Sequence, residues 1–206
     1  MDAGSLPRLP GTHPKATKPK QIRDAAMKCF AERGIATTSL RGIAETAGVS
    51  LCLIEHYFAT KSQLIECIDR HVLAILGEAL EDISSTSADD GVTDAGRRFA
   101  ALMGTNPHVM DYIGRALAEG REGSNAIFDG LYGISAQQGA TFAAQGLTPP
   151  DLDPVWANML PLILRVGSVM LRPHIDRHLA GSLYAPEQTS RWDAAVTRMI
   201  REGQLN

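Results

Sequence analysis

Hydrophobic side chains recur at helical spacing through the first third of the chain. After Lys18, five apolar positions follow the order i, i+3, i+4, i+7 and i+8, and Gly34 ends this amphipathic helix. Two shorter helices follow, Leu40–Ala47 closed by Gly48, and Leu51–Phe58 after Ser50. The inward positions are Ile22, Ala25, Ala26, Cys29 and Phe30 in the first helix, Leu40, Ile43, Ala44 and Ala47 in the second, and Ile54 and Phe58 in the third.

A longer helical stripe runs from Lys61 to Ile83. At 1.5 Å per residue this helix spans on the order of 35 Å, and we expect the polar run Ser84–Gly91 to end it. No segment shows strand alternation, so the pattern predicts an all-α protein, with Pro173 kinking or stopping the apolar helix before it. The later helices are predicted at Asp94–Met103, Pro107–Gly120, Ser124–Gln145, Pro154–Leu171 and Glu187–Arg201.

These patterns divide the chain into three parts. Residues 1–17 contain three prolines and no apolar period, which predicts a disordered basic arm. Residues 18–60 form a three-helix domain with a helix-turn-helix, and residues 61–206 form a helical body. We find no internal repeat.

Composition narrows the class of protein. With 206 residues, 44% of them hydrophobic, the chain can build one helical core or a small domain fused to a larger one. No apolar run approaches the roughly 20 residues that cross a bilayer, and residues 1–17 are polar, so we expect a cytoplasmic protein without a membrane partner. Cys29, Cys52 and Cys67 have unrelated spacings, which predicts reduced thiols.

Charge is distributed unevenly along the chain. Residues 1–61 contain nine Lys and Arg against five Asp and Glu, a net charge of +4, whereas residues 62–206 contain 11 against 18, a net charge of −7. A basic N-terminal third on an acidic body suits a nucleic-acid contact at one end, because phosphate attraction supplies much of such binding. Chance asymmetry with a solvated tail explains the same numbers.

The second and third helices, joined by a turn at Gly48, have the arrangement of a DNA-binding helix-turn-helix. The residues themselves are a more specific signal than this geometry. Thr38–Ala44 has the sequence TSLRGIA, Ala47–Ser50 has AGVS, and His56–Phe58 is followed by Lys61. Over residues 18–66 this resembles the DNA-binding domain of the tetracycline-repressor (TetR) family. The resemblance implies an all-α fold and a palindromic double-stranded operator as partner. It also implies that the helical body of residues 61–206 binds an effector and forms a homodimer.

The resemblance implies DNA-backbone contacts for several residues of this domain. Thr37, Thr38 and Ser39 each supply a hydroxyl that can cap the second helix. Thr38 resembles the family's position ahead of that helix that contacts the DNA backbone, so its hydroxyl can both cap and meet phosphate. Tyr57 and Lys61 resemble phosphate-clamping positions. Ser50 is expected to cap the third helix. His56 fits either a DNA contact or a structural histidine. The candidate DNA-binding set is Thr38, Ser39, Arg41, Ser50, Leu51, Cys52, Leu53, His56, Tyr57 and Lys61.

The third helix departs from the family pattern at its start. Leu51, Cys52 and Leu53 replace the polar, glycine and threonine residues that many members have there, and leucine can contact only the methyl group of thymine. Glu55 can accept from cytosine N4 or repel phosphate. Either leucine can instead turn into the core. The alternative function is therefore a helical ligand- or protein-binding protein with a degenerate helix-turn-helix and no specific operator.

The helical body contains candidate effector-binding residues of two kinds. Adaptable or aromatic side chains suit pocket walls, and an arginine suits an anionic group, although each of these residues fits plain core or surface as well. Pro154–Leu171 is apolar on nearly every side, which fits a dimer helix or a buried monomer helix. The candidates are Met103, Met110, Tyr112, Arg115, Phe128, Phe142, Trp156, Met159 and Arg165.

Catalytic chemistry finds no support in the sequence. No GxSxG, HExxH, P-loop or dinucleotide motif is present, and His174 with His178 are expected to be surface histidines, so we expect no enzyme, no metal and no cofactor. The predicted function is a ligand-responsive transcriptional regulator, a repressor released from its operator by a small-molecule effector of unknown identity. An effector that stabilises a state with poorly spaced recognition helices would release the DNA.

Overall fold

Helices make up nearly all of the described chain. The computed structural model describes residues 17–80, 88–120 and 124–205, and no strand occurs among them, as the sequence predicted. The predicted arm lies outside the described residues except for Thr17. The helices are α1 Lys18–Arg33, α2 Leu40–Ala47, α3 Leu51–Tyr57, α4 Lys61–Leu80, α5 Ala88–Thr105, α6 Pro107–Glu119, α7 Ser124–Ala144, α8 Pro154–Met170, α9 Arg172–Ile175 and α10 Pro186–Gln204, with a 3₁₀ turn Asp176–His178 after α9.

Helices α1 to α3 pack around the stripe predicted from periodicity. Ile22, Phe30, Ile43 and Ile54 are fully buried in this domain, and Phe58 is nearly so. Burying such a side chain contributes about 1.5–3 kcal/mol, so these contacts hold three short helices that would be marginal in isolation. Because Ile54 and Phe58 point into this core, the opposite face of α3 is exposed to solvent.

Helix α4 joins the two predicted domains within one core. Thr60 caps its first turn by accepting from the backbone N–H of Gln63. Leu64, Ile68, Val72 and Leu76 are fully buried on one stripe of α4. The hydrophobic cluster containing them is continuous from α1 to α8, so the three-helix domain and the body share packed side chains.

The body is a layered helical bundle. Helix α6 packs against α1, α7 and α8, while α5 packs against α10. Helix α5 begins at Ala88, six residues before the predicted Asp94, so the prediction that residues 84–91 form a loop is wrong over 88–91. The reason is packing: Val92 contacts Val196 and Ile200 of α10 in a small second core, which keeps the preceding turn helical.

Proline ends the apolar helix where the sequence predicted. Helix α8 stops at Met170, Leu171 forms its C-cap, and the chain bends by 65° before the segment Arg172–His178. Within the described ranges no single helix is long and apolar enough to span a membrane, although this bent pair meets the test of length and composition.

Candidate nucleic-acid interface and ligand cavity

The turn between α2 and α3 depends on a left-handed backbone. Gly48 has φ 62° and ψ 40°, and its N–H donates to the carbonyls of Ala44 and Glu45. A Cβ built at Gly48 meets no atom within 4 Å, so the glycine is required by its backbone angles and not by lack of space. This turn sets the angle at which α3 leaves α2.

Serines cap both helices of the motif. Ser39 Oγ accepts from the backbone N–H of Gly42 at 3.1 Å, and Ser50 Oγ accepts from Leu53 at 3.1 Å. The expectation that Ser50 caps α3 is therefore confirmed, whereas the cap of α2 is Ser39 and not Thr38. Each cap satisfies an N–H group that the helix itself leaves without a partner.

One face of α3 is open to solvent. Leu51, Cys52, Glu55, His56 and Tyr57 are exposed, with Leu51 at 38% and Tyr57 at 42% exposure. The His56 and Tyr57 rings meet edge-on with centroids 5.1 Å apart. These residues form a continuous outward surface, which we call the α3 face.

Leu53 and Arg41 border the α3 face. Leu53 is half-buried, so neither leucine of α3 turns fully into the core. On α2, the Arg41 side chain is 84% exposed, with its Nε 3.6 Å from Glu45 Oε1. An exposed surface pair of this kind is weak and leaves the guanidinium able to contact a phosphate.

Thr38 lies inside the domain. It is 4% exposed, and its hydroxyl donates to the Gly34 carbonyl at 2.6 Å. A second acceptor, the Cys29 carbonyl, lies 3.3 Å away. The expectation that this hydroxyl caps α2 is wrong, because its hydrogen bonds tie the end of α1 to the start of α2.

Lys61 connects α4 to the loop between α1 and α2. Its ammonium donates to the carbonyls of Ile35 and Ala36 and lies 5.8 Å from the centre of the Phe30 ring. The resemblance predicts a phosphate contact for Lys61. The structure shows that its ammonium also ties α4 to the loop between α1 and α2.

A cavity of about 280 Å³ lies in the body, away from the α3 face, between α5, α7, α8 and α10. Of the nine predicted effector-binding residues, Phe142 and Arg165 line it. Sequence reasoning missed Gln138, Ser135 and Asn158, the polar lining residues of α7 and α8. A glutamine in a helix of mostly small residues was the available signal for Gln138.

The other seven candidates do not line this cavity. Five are packed or partly packed, and Tyr112 in the core donates its hydroxyl to Asp69. Two are exposed on the surface. The packed residues are Met103, Met110, Tyr112, Phe128 and Met159, and the exposed ones are Arg115 and Trp156.

Arg165 has an unusual environment for an arginine. Burial lowers its pKa from the ordinary value, and the charge of Asp193 opposes that shift. Among the described residues, the Nε of Arg165 and the Nε2 of Gln138 are buried without a hydrogen-bond acceptor. The pKa of Asp193 is itself raised by burial, against a hydrogen bond from Thr197 and the charges of Arg165 and Arg97. The cavity thus contains a cation that its protein surroundings compensate only in part.

Comparison with known proteins gives two matches in sequence. The family model "Bacterial regulatory proteins, tetR family" matches residues 22–68. The HTH-type transcriptional regulator BetI of Brucella anthropi is 33% identical over 100 residues, 48% of each chain. The chain therefore aligns with about half the length of this curated relative.

Solved structures extend the likeness to the body. The regulator FadR of Bacillus subtilis, in complex with stearoyl-CoA, matches with a TM-score of 0.73 at 19% identity, covering 89% of this chain and 97% of that one. A transcriptional regulator of Saccharomonospora viridis in complex with choline matches with a TM-score of 0.71 at 16% identity, covering 91% and 97%. At these identities the structures show a shared fold. Residues 22–68 are thus similar to the DNA-binding domain of the TetR family of bacterial regulatory proteins, and the described chain shares its fold with these two solved regulators.

Proposed function

We propose that this protein is a homodimeric, operator-binding transcriptional regulator, without catalytic activity, that acts in the cytoplasm and responds to a small molecule in the cavity of its body. The observation that carries the proposal is the α3 face, held outward by Ile54 and Phe58 and by the turn at Gly48. An exposed recognition helix behind a glycine turn is the geometry that enters a major groove.

The α3 face is proposed to read bases through contacts of two kinds. Leu51 and Leu53 pack on thymine methyl groups, and Glu55 accepts from cytosine N4. Around them, Tyr57, His56 and the more distant Arg41 meet phosphates, which positions the domain without reading sequence. This chemistry predicts half-sites that combine thymine with cytosine.

Dimerisation is proposed through an exposed apolar strip on α8 and α10. Trp156, Leu160, Ile163 and Met170 are each at least 38% exposed and recur at helical spacing on α8, and Met199 of α10 is 61% exposed. The opposite side of α8 is buried against the body. A contiguous exposed apolar strip is typical of a protein–protein interface, and a two-fold dimer matches a palindromic operator.

The dimer proposal is tested with a charge placed on the strip. Leu160→Glu is expected to give a monomer in sedimentation velocity, while Ala180→Glu adds the same charge at an exposed position outside the strip and leaves the dimer intact. A wild-type protein that sediments as a monomer at micromolar concentration would contradict the proposal.

Helix α6 connects the body with the DNA-binding domain. At its C-terminal end, Glu119 accepts from the backbone N–H groups of Ile35 at 2.9 Å and Ala36 at 3.2 Å. In its middle, a Cβ added to Gly114 would lie 3.2 Å from the Val169 carbonyl of α8, so α6 and α8 approach closely. We propose that a shift of α8 on effector binding passes through α6 to the loop before α2.

Regulation then works as a shift between two states of the dimer. The free dimer holds two α3 faces about one duplex turn apart, and the effector favours a state with a different spacing. An effector selective for that state by about 2 kcal/mol changes operator occupancy roughly thirtyfold. Repression with effector-induced release is the proposed sign of regulation.

Selection from a random duplex DNA pool tests the proposal, followed by fluorescence anisotropy of the selected site over a salt series. We expect a palindrome and a steep negative slope of log K against log salt, because each phosphate contact adds about −0.9 to the slope. Arg41→Ala is expected to weaken binding to every sequence, and Leu51→Ala to change the preferred base. Folded protein that enriches no site would favour the alternative, a binding protein without an operator.

A further inference from the structure

The body cavity brings two buried donors to one apolar space. Arg165 on α8 and Gln138 on α7 both line it, and both also line a smaller adjoining cavity of about 40 Å³. Within the described ranges, Arg165 Nε and Gln138 Nε2 have no acceptor from the protein. Buried polar groups are nearly always hydrogen-bonded, so these two donors call for an acceptor inside the cavity.

Two other polar residues of the cavity, Ser135 and Asn158, are already engaged as donors. Ser135 Oγ donates to the Asn158 carbonyl at 2.7 Å, and Asn158 Nδ2 donates to the Pro154 carbonyl at 2.8 Å. No Asp or Glu is among the described lining residues. Asp193 acts on Arg165 electrostatically, but it accepts from Thr197 and does not line the cavity.

Most of the remaining wall is apolar, with Thr148 and Gln204 as the polar exceptions. Alanines and prolines from α7, α8 and the connecting loop form much of it, together with larger side chains from four elements. An occupant therefore meets a hydrocarbon surface over most of its body and donors at one end. The larger apolar lining residues are Val92, Phe142, Leu152, Ile200 and Leu205.

This arrangement selects ligands by charge. A guanidinium presents parallel N–H groups that match a planar carboxylate, and a buried charge gains most from an opposite charge. One arginine compensates one negative charge, so a monocarboxylate fits better than a phosphate monoester with its nearly two charges. A cationic ligand would bring a second positive charge beside Arg165 without a carboxylate in the lining to receive it.

Size restricts the ligand further. A volume of about 280 Å³ lies just below the roughly 300–1,000 Å³ of pockets that bind drug-sized molecules. The ligand is accordingly a small organic molecule.

We infer that the effector is a small amphiphilic monocarboxylate, whose carboxylate binds Arg165 and Gln138 and whose hydrocarbon part fills the apolar cavity. The inference rests on the proposed function, which makes this cavity the effector site. It also separates this protein from the structural neighbour that was solved with choline, a cation.

Isothermal titration of DNA-free, full-length protein tests the inference. The probes are four monocarboxylates, namely benzoate, phenylacetate, hexanoate and octanoate, with their matched ammonium compounds benzylammonium, phenethylammonium, hexylammonium and octylammonium, and with phenyl phosphate. We expect at least one carboxylate to bind, its ammonium counterpart to give no heat, and phenyl phosphate to bind more weakly. Binding of ammonium probes alone, or of no carboxylate, would overturn the inference.

Variants locate the binding. Arg165→Met removes the charge from the cavity at similar side-chain length, and we expect it to weaken the best carboxylate roughly 10- to 100-fold. Gln138→Leu removes a neutral donor and is expected to cost about 2- to 10-fold. Arg115→Met is the matched control, since this exposed arginine of α6 lies outside the cavity lining, and it should bind as wild type. Equal affinity of all three variants would overturn the inference.

Failure of the ligand assignment can be distinguished from misfolding of a variant and from failure of the DNA-binding proposal. Because the charge series is measured on wild-type protein and Gln138→Leu introduces no charge, a misfolded Arg165→Met still leaves two decisive measurements. Operator binding is measured separately. Carboxylate binding through Arg165 without any selected operator would sustain the ligand assignment and contradict the DNA-binding proposal. Operator binding without carboxylate binding would overturn the ligand assignment alone.

Discussion

Replacing Lys61 by methionine separates a structural role from a DNA contact. The ammonium donates to two backbone carbonyls of the loop between α1 and α2, Ile35 and Ala36, and lies over the Phe30 ring. Hydrogen bonds to charged groups contribute about 1.5–3 kcal/mol, and because Lys61 is only half-buried we expect a loss of about 1.5 kcal/mol. In a chain of this size that lowers the Tm by about 3–6 °C.

Urea denaturation followed by circular dichroism measures this loss, with operator affinity measured in parallel. Lys28→Met is the matched control, because Lys28 is an exposed lysine of α1 whose side chain lies 3.9 Å from Glu32 and holds no loop carbonyl among the described contacts. We expect this control to change the unfolding free energy by less than about 0.5 kcal/mol. A Lys61→Met protein as stable as wild type, with a salt slope less steep by about 0.9, would refute the anchoring role and leave only a phosphate contact.

Three further predictions concern the turn, the coupling and pH. Gly48→Ala is expected to lose about 1–2 kcal/mol of unfolding free energy in urea titrations and Gly48→Asn clearly less, since asparagine tolerates the left-handed region; equal losses would mean that backbone angle is not the cause. Glu119→Gln is expected to keep the affinity for operator within a few-fold but to weaken its response to effector, measured by anisotropy with and without effector; an unchanged response would remove α6 from the coupling route. Burial, and then the charge of Arg23, lowers the pKa of His71, so the folded state binds fewer protons than the unfolded chain. Stability should therefore fall as pH drops through about 6.5, and His71→Gln should flatten that slope in denaturation series from pH 8 to 5.

Local patterns determined the N-terminal domain. The stripes of α1 to α3, the stop at Gly48 and the cap at Ser50 depend on residues within one or two helical turns, so the sequence predicted them correctly. The same periodicity predicted an all-helical body and the break near Pro173. The inward positions Ile54 and Phe58 were also correct, and they fix which face of α3 is exposed.

Roles of individual polar residues required the structure. Several adjacent hydroxyls precede α2, and each can cap a helix in principle, so only the backbone path decides that Ser39 caps while Thr38 turns inward. Lys61 reaches a carbonyl 26 residues earlier, a contact that no periodicity encodes. The early start of α5 likewise depends on contacts with α10, more than a hundred residues away.

The cavity shows the same division between local and distant information. Sequence alone determined that the body has apolar helices and that one of them contains an arginine, Arg165. It did not determine which candidates meet, because α8 turns by about 100° per residue and Trp156, nine residues before Arg165, therefore lies on the opposite side of the helix. Only packing of α7 and α8 places Gln138 beside the same space as Arg165. Helix propensity and periodicity are properties of short segments, whereas a binding site is a property of the distances between segments, which tertiary packing sets.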